Sequence, residues 1–155
     1  MRFSIMQAHP SDAAALAALH ALALPPGWPA ADFATCCANE NRIVLKAAEG
    51  AGLLGFAVVQ FAADEAEILS IAVAKEARQH GIGSAILAAC VAACEQNNIS
   101  YLYLEVAEGN GAALKLYGKF GFGVLARRPD YYRAGRSEPE TALIMRLETK
   151  WASSP

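Results

Sequence analysis

Short blocks of apolar residues predict strands in the first half of the chain. Three of these blocks are rich in β-branched and aromatic side chains and are separated by glycine or acidic residues, which is typical of hairpins. They are RIVLKAA, LLGFAVVQFA and AEILSIAV, at 42–48, 53–62 and 66–73. With a first strand over 3–8, they predict an antiparallel half-sheet.

Two helices are predicted between the first strand and these hairpins. Ser11 is the expected N-cap of an alanine- and leucine-rich helix that ends before Pro25. A shorter helix is predicted over 32–38. The stretch PPGWP between the two helices predicts a rigid turn.

The pattern changes after residue 80. GIGSAILAACVAACEQNN has the length and composition of a buried helix, and the strand ISYLYLEV follows it, so one parallel βαβ junction is expected. NGAALKLYGKF predicts a further helix, and FGVLARR with ETALIMRL predicts a closing pair of strands. The sequence thus predicts one α/β (α+β) domain over 1–155. We expect a mixed twisted sheet of about seven strands, flanked by about four helices.

Composition narrows the class of function. The net charge of −2 shows no basic excess, so we expect no nucleic-acid partner. The longest apolar run, at 85–94, is shorter than the ~18 residues that cross a bilayer, and the start lacks a signal-peptide pattern. We therefore expect no membrane association and a cytoplasmic protein. The four cysteines and three histidines lack the spacing of metal ligands, so no metal is assigned.

A glycine-containing turn, ARQHGIGSA, predicts an anion site before the long helix. Helix N-termini present unpaired N–H groups and a partial positive charge, and Gly81 and Gly83 let a phosphate approach the backbone. Arg78, His80 and Ser84 add hydrogen-bond donors beside this turn. On these residues alone, an ordinary turn into a helix remains the alternative.

Two other phosphate-binding patterns fit this turn less well. A P-loop requires a Gly-Lys-Ser/Thr sequence, and no such lysine is present. A dinucleotide fingerprint matches at Gly81 and Gly83, and Glu105 follows them in the sequence at about the separation expected for a ribose-binding carboxylate. However, Ile86 stands at its third glycine, and six residues, 75–80, separate the strand from Gly81. A nicotinamide dinucleotide is therefore the less favoured alternative.

The run LSIAVAKEARQHGIGSAIL resembles the acetyl-CoA motif of the GNAT N-acetyltransferases, Gln/Arg-x-x-Gly-x-Gly/Ala. The resemblance covers 68–147, through YLYLEVAEGNGAALKLYGKFGF, RR, YY and ETALIMRL. In this combination, the sequence is similar in particular to the ribosomal-protein alanine (RimI) type. It implies the GNAT fold and direct acetyl transfer from acetyl-CoA to a primary amine in a ternary complex. The favoured acceptor is a protein α-amino group, such as the N-terminus of a ribosomal protein. A small amine, a lysine side chain and a non-catalytic acyl-CoA module remain alternatives, and a monomer or weak dimer is expected.

The same resemblance implies which residues hold acetyl-CoA. The backbone of the strand end would pair with the pantetheine arm, and the turn after it would hold the pyrophosphate. The expected contacts are Ile71, Ala72, Val73, Arg78, Gln79, His80, Gly81, Ile82, Gly83, Ser84 and Asn110.

Two residues are expected to carry the chemistry. An α-amino group with a pKa near ~8 is mostly protonated at pH 7, so a base is needed. Glu105 lies at the carboxyl end of the second parallel strand, where open α/β sheets place their ligands, and is the candidate base. Tyr117 matches the general acid of the resembling enzymes. Glu108, three residues after Glu105, is expected to be a surface residue.

The acceptor site is expected to be shaped by Trp28, Tyr131 and Tyr132. Three features depart from the family pattern. Ala107 stands in place of an arginine, Gly109 stands in place of a serine, and RRPDYYRAG has one residue more than the RR-x-YY pattern. All three departures lie where the acceptor would be selected, so we expect them to affect the choice of amine.

Overall fold

The computed structural model describes residues 1–132 and 138–152. Within these ranges, seven strands form one sheet in the order β1-β2-β3-β4-β5-β7-β6. The strands are β1 (Ser4–Gln7), β2 (Arg42–Glu49), β3 (Gly52–Ala62), β4 (Glu65–Val73), β5 (Tyr101–Ala107), β6 (Gly123–Tyr132) and β7 (Glu140–Glu148). The α-helices are α1 (Ala13–Ala23), α2 (Ala30–Ala38), α3 (Ile82–Gln96) and α4 (Gly111–Phe120).

The predicted mixed sheet is confirmed. Strands β1 to β4 pair antiparallel in sequence order, and β4 pairs with β5 in parallel. Strand β7 pairs antiparallel with both β5 and β6. Since α3 connects β4 to β5, the single parallel pair is the predicted βαβ junction.

Most element boundaries agree with the sequence prediction to within two residues, but the predicted start of α1 and the predicted end of β6 need correction. Ser11 does not cap α1, because it lies in a 3-10 turn over Pro10–Asp12 and Asp12 is the N-cap. The Asp12 carboxylate accepts the backbone N–H of His9 at 2.8 Å and pairs with Lys46 at 2.9 Å, and these contacts lower its pKa. Strand β6 continues to Tyr132 instead of ending at residue 128.

Helices cover both faces of the sheet. A Cβ at Gly55 of β3 would lie 2.8 Å from the Ala72 carbonyl oxygen and 2.9 Å from Cδ1 of Ile86, so glycine is what allows α3 to approach β3 and β4 so closely. The next residue, Phe56, faces the other way and packs edge-on against His20 of α1 and Phe33 of α2. Therefore α3 covers one face, while α1 and α2 cover the other.

Helices α1 and α2 cover only part of their face of the sheet. These two helices pack mainly on β2, β3 and β4. Along β5, the residues on the α3 side are buried, whereas those on the opposite side, Tyr101, Tyr103 and Glu105, are only half-buried. No helix in the described ranges combines the length and apolar composition that a membrane crossing requires.

Candidate active site

Strands β4 and β5 separate after four paired positions. Their parallel pairing runs from Glu65 opposite Tyr101 to Ile68 opposite Leu104. Beyond that point, β4 continues to Val73 and remains paired with β3 alone. The backbone N–H and C=O groups on the far edge of this strand end therefore have no strand partner, and of them the Val73 carbonyl accepts a hydrogen bond from Arg78.

A β-bulge lies at the point of separation. Val58 of β3 is opposite Ser70 and Val59 is opposite Ile68, so Leu69 is an extra residue in β4. Leu69 lines a depression beside α2, and Ser70 contacts His20 of α1, so two consecutive side chains face the same side. Bulges bend and twist a strand, which explains why β4 leaves β5 here.

The separated strands enclose a cleft of about 370 Å³ that passes between the two faces of the sheet. On the α1 side it is lined by Leu24 and Glu67, and on the α4 side by Tyr117. The remaining wall comes from the separating strands and from two further side chains: Ile68, Leu69, Ser70, Ile71, Leu104, Glu105, Val106, Ala107, Asn110 and Tyr132.

Glu105 lies in this cleft, held by two residues of β6. Its Oε1 accepts a hydrogen bond from the Tyr132 hydroxyl at 2.7 Å, and its Oε2 lies 3.9 Å from Nη1 of Arg128. The Glu105 side chain is 28% exposed, so the carboxylate keeps access to a substrate entering the cleft. Glu108 lies outside the cleft, in an exposed ion pair with Arg127.

Tyr117 lines the opposite end of the cleft and is 6% exposed. Burial, together with the neighbouring Cys90, raises the pKa of Tyr117 to about 12. At neutral pH the phenol therefore keeps its proton and can donate a hydrogen bond.

The thiols of α3 are not activated nucleophiles. Burial raises the pKa values of Cys90 and Cys94 to about 12, so both remain protonated at neutral pH. Within residues 1–132 and 138–152, no group of three or more His, Cys, Asp or Glu side chains is arranged to hold a metal ion.

The N-terminus of α3 has the geometry of an anion site. Gly81 is its N-cap with φ +77°, and the first bond of the helix runs from the Ala85 N–H to the Gly81 carbonyl at 3.0 Å. The N–H groups of Ile82, Gly83 and Ser84 consequently have no acceptor within the helix. No side chain of the described residues caps this end. These residues fit a diphosphate, which the helix dipole also favours.

The turn before α3 is tied to the end of β4. Arg78 is exposed and donates from Nε to the Val73 carbonyl at 3.3 Å. Gln79 has φ +65°, and both Gln79 and His80 are exposed. The turn therefore joins the unpaired strand end to the open helix end. Across the cleft, Asn110 caps α4 by accepting the Ala113 N–H at 3.2 Å.

Two of the expected acceptor residues lie outside the cleft. Trp28 lines a separate depression of about 250 Å³, which shares only Leu69 with the cleft. Its backbone N–H donates to Nδ1 of His20 at 2.9 Å. Tyr131 is 51% exposed and lies against the Tyr132 ring, with a centroid distance of 5.4 Å. Of the three residues, only Tyr132 contacts Glu105.

The longer β6 segment explains how Tyr132 reaches Glu105. Arg128 pairs with Ala142 and Tyr132 pairs with Glu140. Four residues of β6 therefore advance along only two residues of β7, which leaves two extra residues in β6. Asp130, within this second bulge, has φ +56°. The extra length of RRPDYYRAG is thus partly absorbed in a bulge that brings Arg128 and Tyr132 to the cleft; residues 133–135 of this run lie outside the described residues.

Several residues in or beside the cleft were not identified from the sequence. Arg128 was visible only as part of the RR pair. Glu67 alternates with buried residues along β4, which indicated its face but not its distance from Glu105. Nothing in the sequence indicated that His20 and Ser70 meet, since their 3.2 Å contact joins residues 50 positions apart.

Comparison with known proteins shows the family to which this chain belongs. Residues 13–122 match the model of the acetyltransferase (GNAT) family. The ribosomal protein bS18-alanine N-acetyltransferase of Haemophilus ducreyi is 34% identical over 103 residues, which cover 66% of this chain and 71% of the relative. The Escherichia coli enzyme of the same name is 31% identical over 109 residues, covering 70% and 73%.

The fold comparison agrees with the sequence comparison. The crystal structure of the Escherichia coli ribosomal-protein alanine N-acetyltransferase superposes with a TM-score of 0.87 and 28% identity, covering 95% of this chain and 94% of that one. The resemblance to the RimI type is therefore confirmed. The chain belongs to the GNAT acetyltransferase family and is an acetyl-CoA-dependent N-acetyltransferase.

Proposed function

We propose that this enzyme acetylates the α-amino group of a protein N-terminus, with an alanine-starting ribosomal protein as the model acceptor. The proposal is supported by the activity that its relatives are named for. The observation that carries it is that the Glu105 carboxylate and the protonated Tyr117 phenol line one cleft. Such an acceptor belongs to the cytoplasm, and we propose a monomeric or weakly dimeric enzyme there.

Acetyl-CoA would bind along the α3 side of this cleft. We assign its diphosphate to the N–H groups of residues 79–84, with Arg78 beside them. The free edge of Ile71, Ala72 and Val73 suits the amide-rich pantetheine arm, which can add to the strand as a surrogate neighbour. Asn110 is assigned to the opposite wall. The bound thioester supplies an activated acetyl group.

Glu105 is the proposed general base. It removes a proton from the acceptor ammonium, directly or through one water, and the neutral nitrogen attacks the thioester carbonyl. A C–N bond forms and the C–S bond breaks. Backbone N–H groups of the Ile71 to Val73 segment are the candidate donors to the oxygen that becomes negative. Because Cys90 and Cys94 are buried and protonated, direct attack is favoured over an acyl-enzyme.

Tyr117 is the proposed proton donor to the departing sulfur. A thiol has a pKa of about 8.5, well below the value of about 12 for Tyr117, so a lasting tyrosinate is unfavourable. The acceptor nitrogen must lose a second proton to become an amide. Tyr117 would pass this proton on, giving one proton to the sulfur as it receives another.

The proposal is tested by thiol release from acetyl-CoA with three acceptor classes. These are peptides with free N-termini, polyamines, and lysine peptides with blocked N-termini. We expect turnover with the alanine-starting peptides. Glu105→Gln should lower kcat by about 100-fold or more, while acetyl-CoA still raises the melting temperature. Glu108→Gln is the matched control, since it removes a nearby carboxylate outside the cleft.

Each contradictory result removes a different part of the proposal. Unchanged turnover in Glu105→Gln would exclude Glu105 as the base. A melting temperature that rises with NAD but not with acetyl-CoA would exclude acetyl-CoA as the acetyl donor. Preference for a polyamine or a blocked lysine peptide would exclude the α-amino acceptor.

A further inference from the structure

The uncovered half of the sheet forms a surface next to the candidate base. We call it the open face: the side of β4, β5 and β7 that α1 and α2 leave exposed. Three contacts define it. The Tyr103 hydroxyl lies 3.3 Å from Oε1 of Glu65, the Arg146 guanidinium lies 4.7 Å from the Tyr101 ring centroid, and Glu67 is next to Tyr103 in the parallel register. Its residues are Glu65, Glu67, Tyr101, Tyr103, Glu105, Arg146 and Glu148.

The open face is predominantly acidic. It carries four carboxylates and one cation, Arg146, whose guanidinium is stacked on Tyr101, and a second cation, Arg128 of β6, lies at its edge 3.9 Å from Glu105. The carboxylates still outnumber the cations by two, and Glu67 pairs with neither of them. On the α2 side, the Arg42 guanidinium is already engaged, donating to Gln60 at 3.0 Å and to the Cys36 sulfur at 3.3 Å. A cationic ligand is therefore favoured on this surface.

Glu67 is the carboxylate of this face that also lines the cleft with Glu105. It is exposed, and among the described residues no ion pair or hydrogen bond involves its side chain. Its register partner, Tyr103, lies two positions before Glu105 on β5. From a rise of about 3.3 Å per residue and a strand spacing of about 4.8 Å, the Cα atoms of Glu67 and Glu105 are roughly 8 Å apart.

This spacing suits an extended polypeptide. An extended chain advances about 3.4 Å per residue, so two residues beyond an α-amino group at Glu105 cover most of the distance to Glu67. A long side chain at the second or third residue can then reach the Glu67 carboxylate. Leu24 lines the same part of the cleft and offers an apolar wall to the stem of that side chain.

We propose that Glu67 is a specificity-determining residue, which selects acceptors carrying lysine or arginine at the second or third position. The inference rests on the proposed function, because it requires the acceptor amine to lie at Glu105. Glu67 takes no part in the proton transfers. It pairs with the acceptor's cation and lowers the KM of cationic acceptors.

The test uses the full chain and peptides that begin with alanine and carry lysine, alanine or glutamate at positions two and three. For the wild type, kcat/KM should be highest with lysine and lowest with glutamate. Glu67→Gln should reduce the advantage of lysine over alanine by about 3- to 10-fold through KM, with kcat retained. Glu67→Lys should reverse the order. Glu40→Gln, which removes an exposed carboxylate between α2 and β2, should leave the ratio unchanged.

The outcomes separate this inference from the proposed function. If all three peptides are acetylated equally, or if Glu67→Gln lowers kcat alike for all of them, selection by Glu67 is wrong while N-terminal acetylation stands. If no peptide with a free N-terminus is acetylated, both proposals are wrong. Since Glu67 is exposed, Glu67→Gln should keep the wild-type melting temperature.

Discussion

The Tyr132 hydroxyl donates to Oε1 of Glu105 across 2.7 Å, linking the bulged end of β6 to the candidate base on β5. The contact fixes one oxygen of the carboxylate and leaves the other to face Arg128. The orientation of Glu105 therefore depends on two side chains that follow it in the sequence by more than twenty residues.

Removing this contact should slow the chemical step. We expect Tyr132→Phe to lower kcat about 10-fold, because the carboxylate loses the hydrogen bond that orients it. The KM for acetyl-CoA should not change, since Tyr132 is not among the residues assigned to acetyl-CoA. Steady-state thiol release measures both constants. A raised KM for acetyl-CoA with an unchanged kcat would contradict this role.

Loss of the Tyr117 hydroxyl should affect turnover more than binding. We expect Tyr117→Phe to lower kcat by about 100-fold, while acetyl-CoA still raises the melting temperature. Tyr131→Phe is the control, because that ring is exposed and lies outside the cleft-lining set. Equal kcat values for Tyr117→Phe and the wild type would exclude proton donation by this phenol.

A negative charge at the start of α3 should change stability and donor binding in opposite directions. In Ser84→Asp, the new carboxylate interacts favourably with the helix dipole and should raise the free energy of unfolding by about 0.3–1 kcal/mol. The same charge repels a diphosphate, so the Kd for acetyl-CoA should rise at least about 10-fold.

The control for this experiment lies on the same helix. Ala92→Asp places the charge at an exposed position beyond the first turns of α3. It should leave acetyl-CoA affinity unchanged. Calorimetric titration with acetyl-CoA and urea unfolding distinguish the two variants. Equal affinities for Ser84→Asp and the wild type would place the diphosphate elsewhere.

His20 should make stability depend on pH. It is 4% exposed, and burial lowers its pKa from 6.5. The Trp28 N–H donates to Nδ1, so Nε2 carries the proton and donates to Oγ of Ser70 at 3.2 Å. Because the unfolded chain binds a proton more readily than the folded one, the free energy of unfolding should fall as pH drops below about 6.5.

This dependence can be measured by urea unfolding between pH 5 and pH 7.5. His20→Gln should be less stable at pH 7.5 by about 1–2 kcal/mol and should lose the slope near pH 6. Asp12 has a lowered pKa, so its contribution is lost only below its ordinary value of 3.8 and does not overlap this window. An unchanged slope in His20→Gln would assign the dependence to another group.

Sequence patterns predicted the elements of this fold because they depend on local composition. The β-branched runs gave β2 to β4, and the Gly81-x-Gly83 turn before an apolar helix indicated the anion site. The separation of β4 from β5 depends on a register shift at Leu69, which only strand pairing reveals. The same holds for Arg128 and Tyr132, whose approach to Glu105 depends on a bulge in β6.

The cleft between β4 and β5 is lined from both sides of the sheet, by Leu24 and Glu67 on the α1 side and by Tyr117 on the α4 side. Under the proposed function, the acetyl donor and the acceptor amine lie on opposite sides of the sheet, so both can be bound at once, as direct transfer requires.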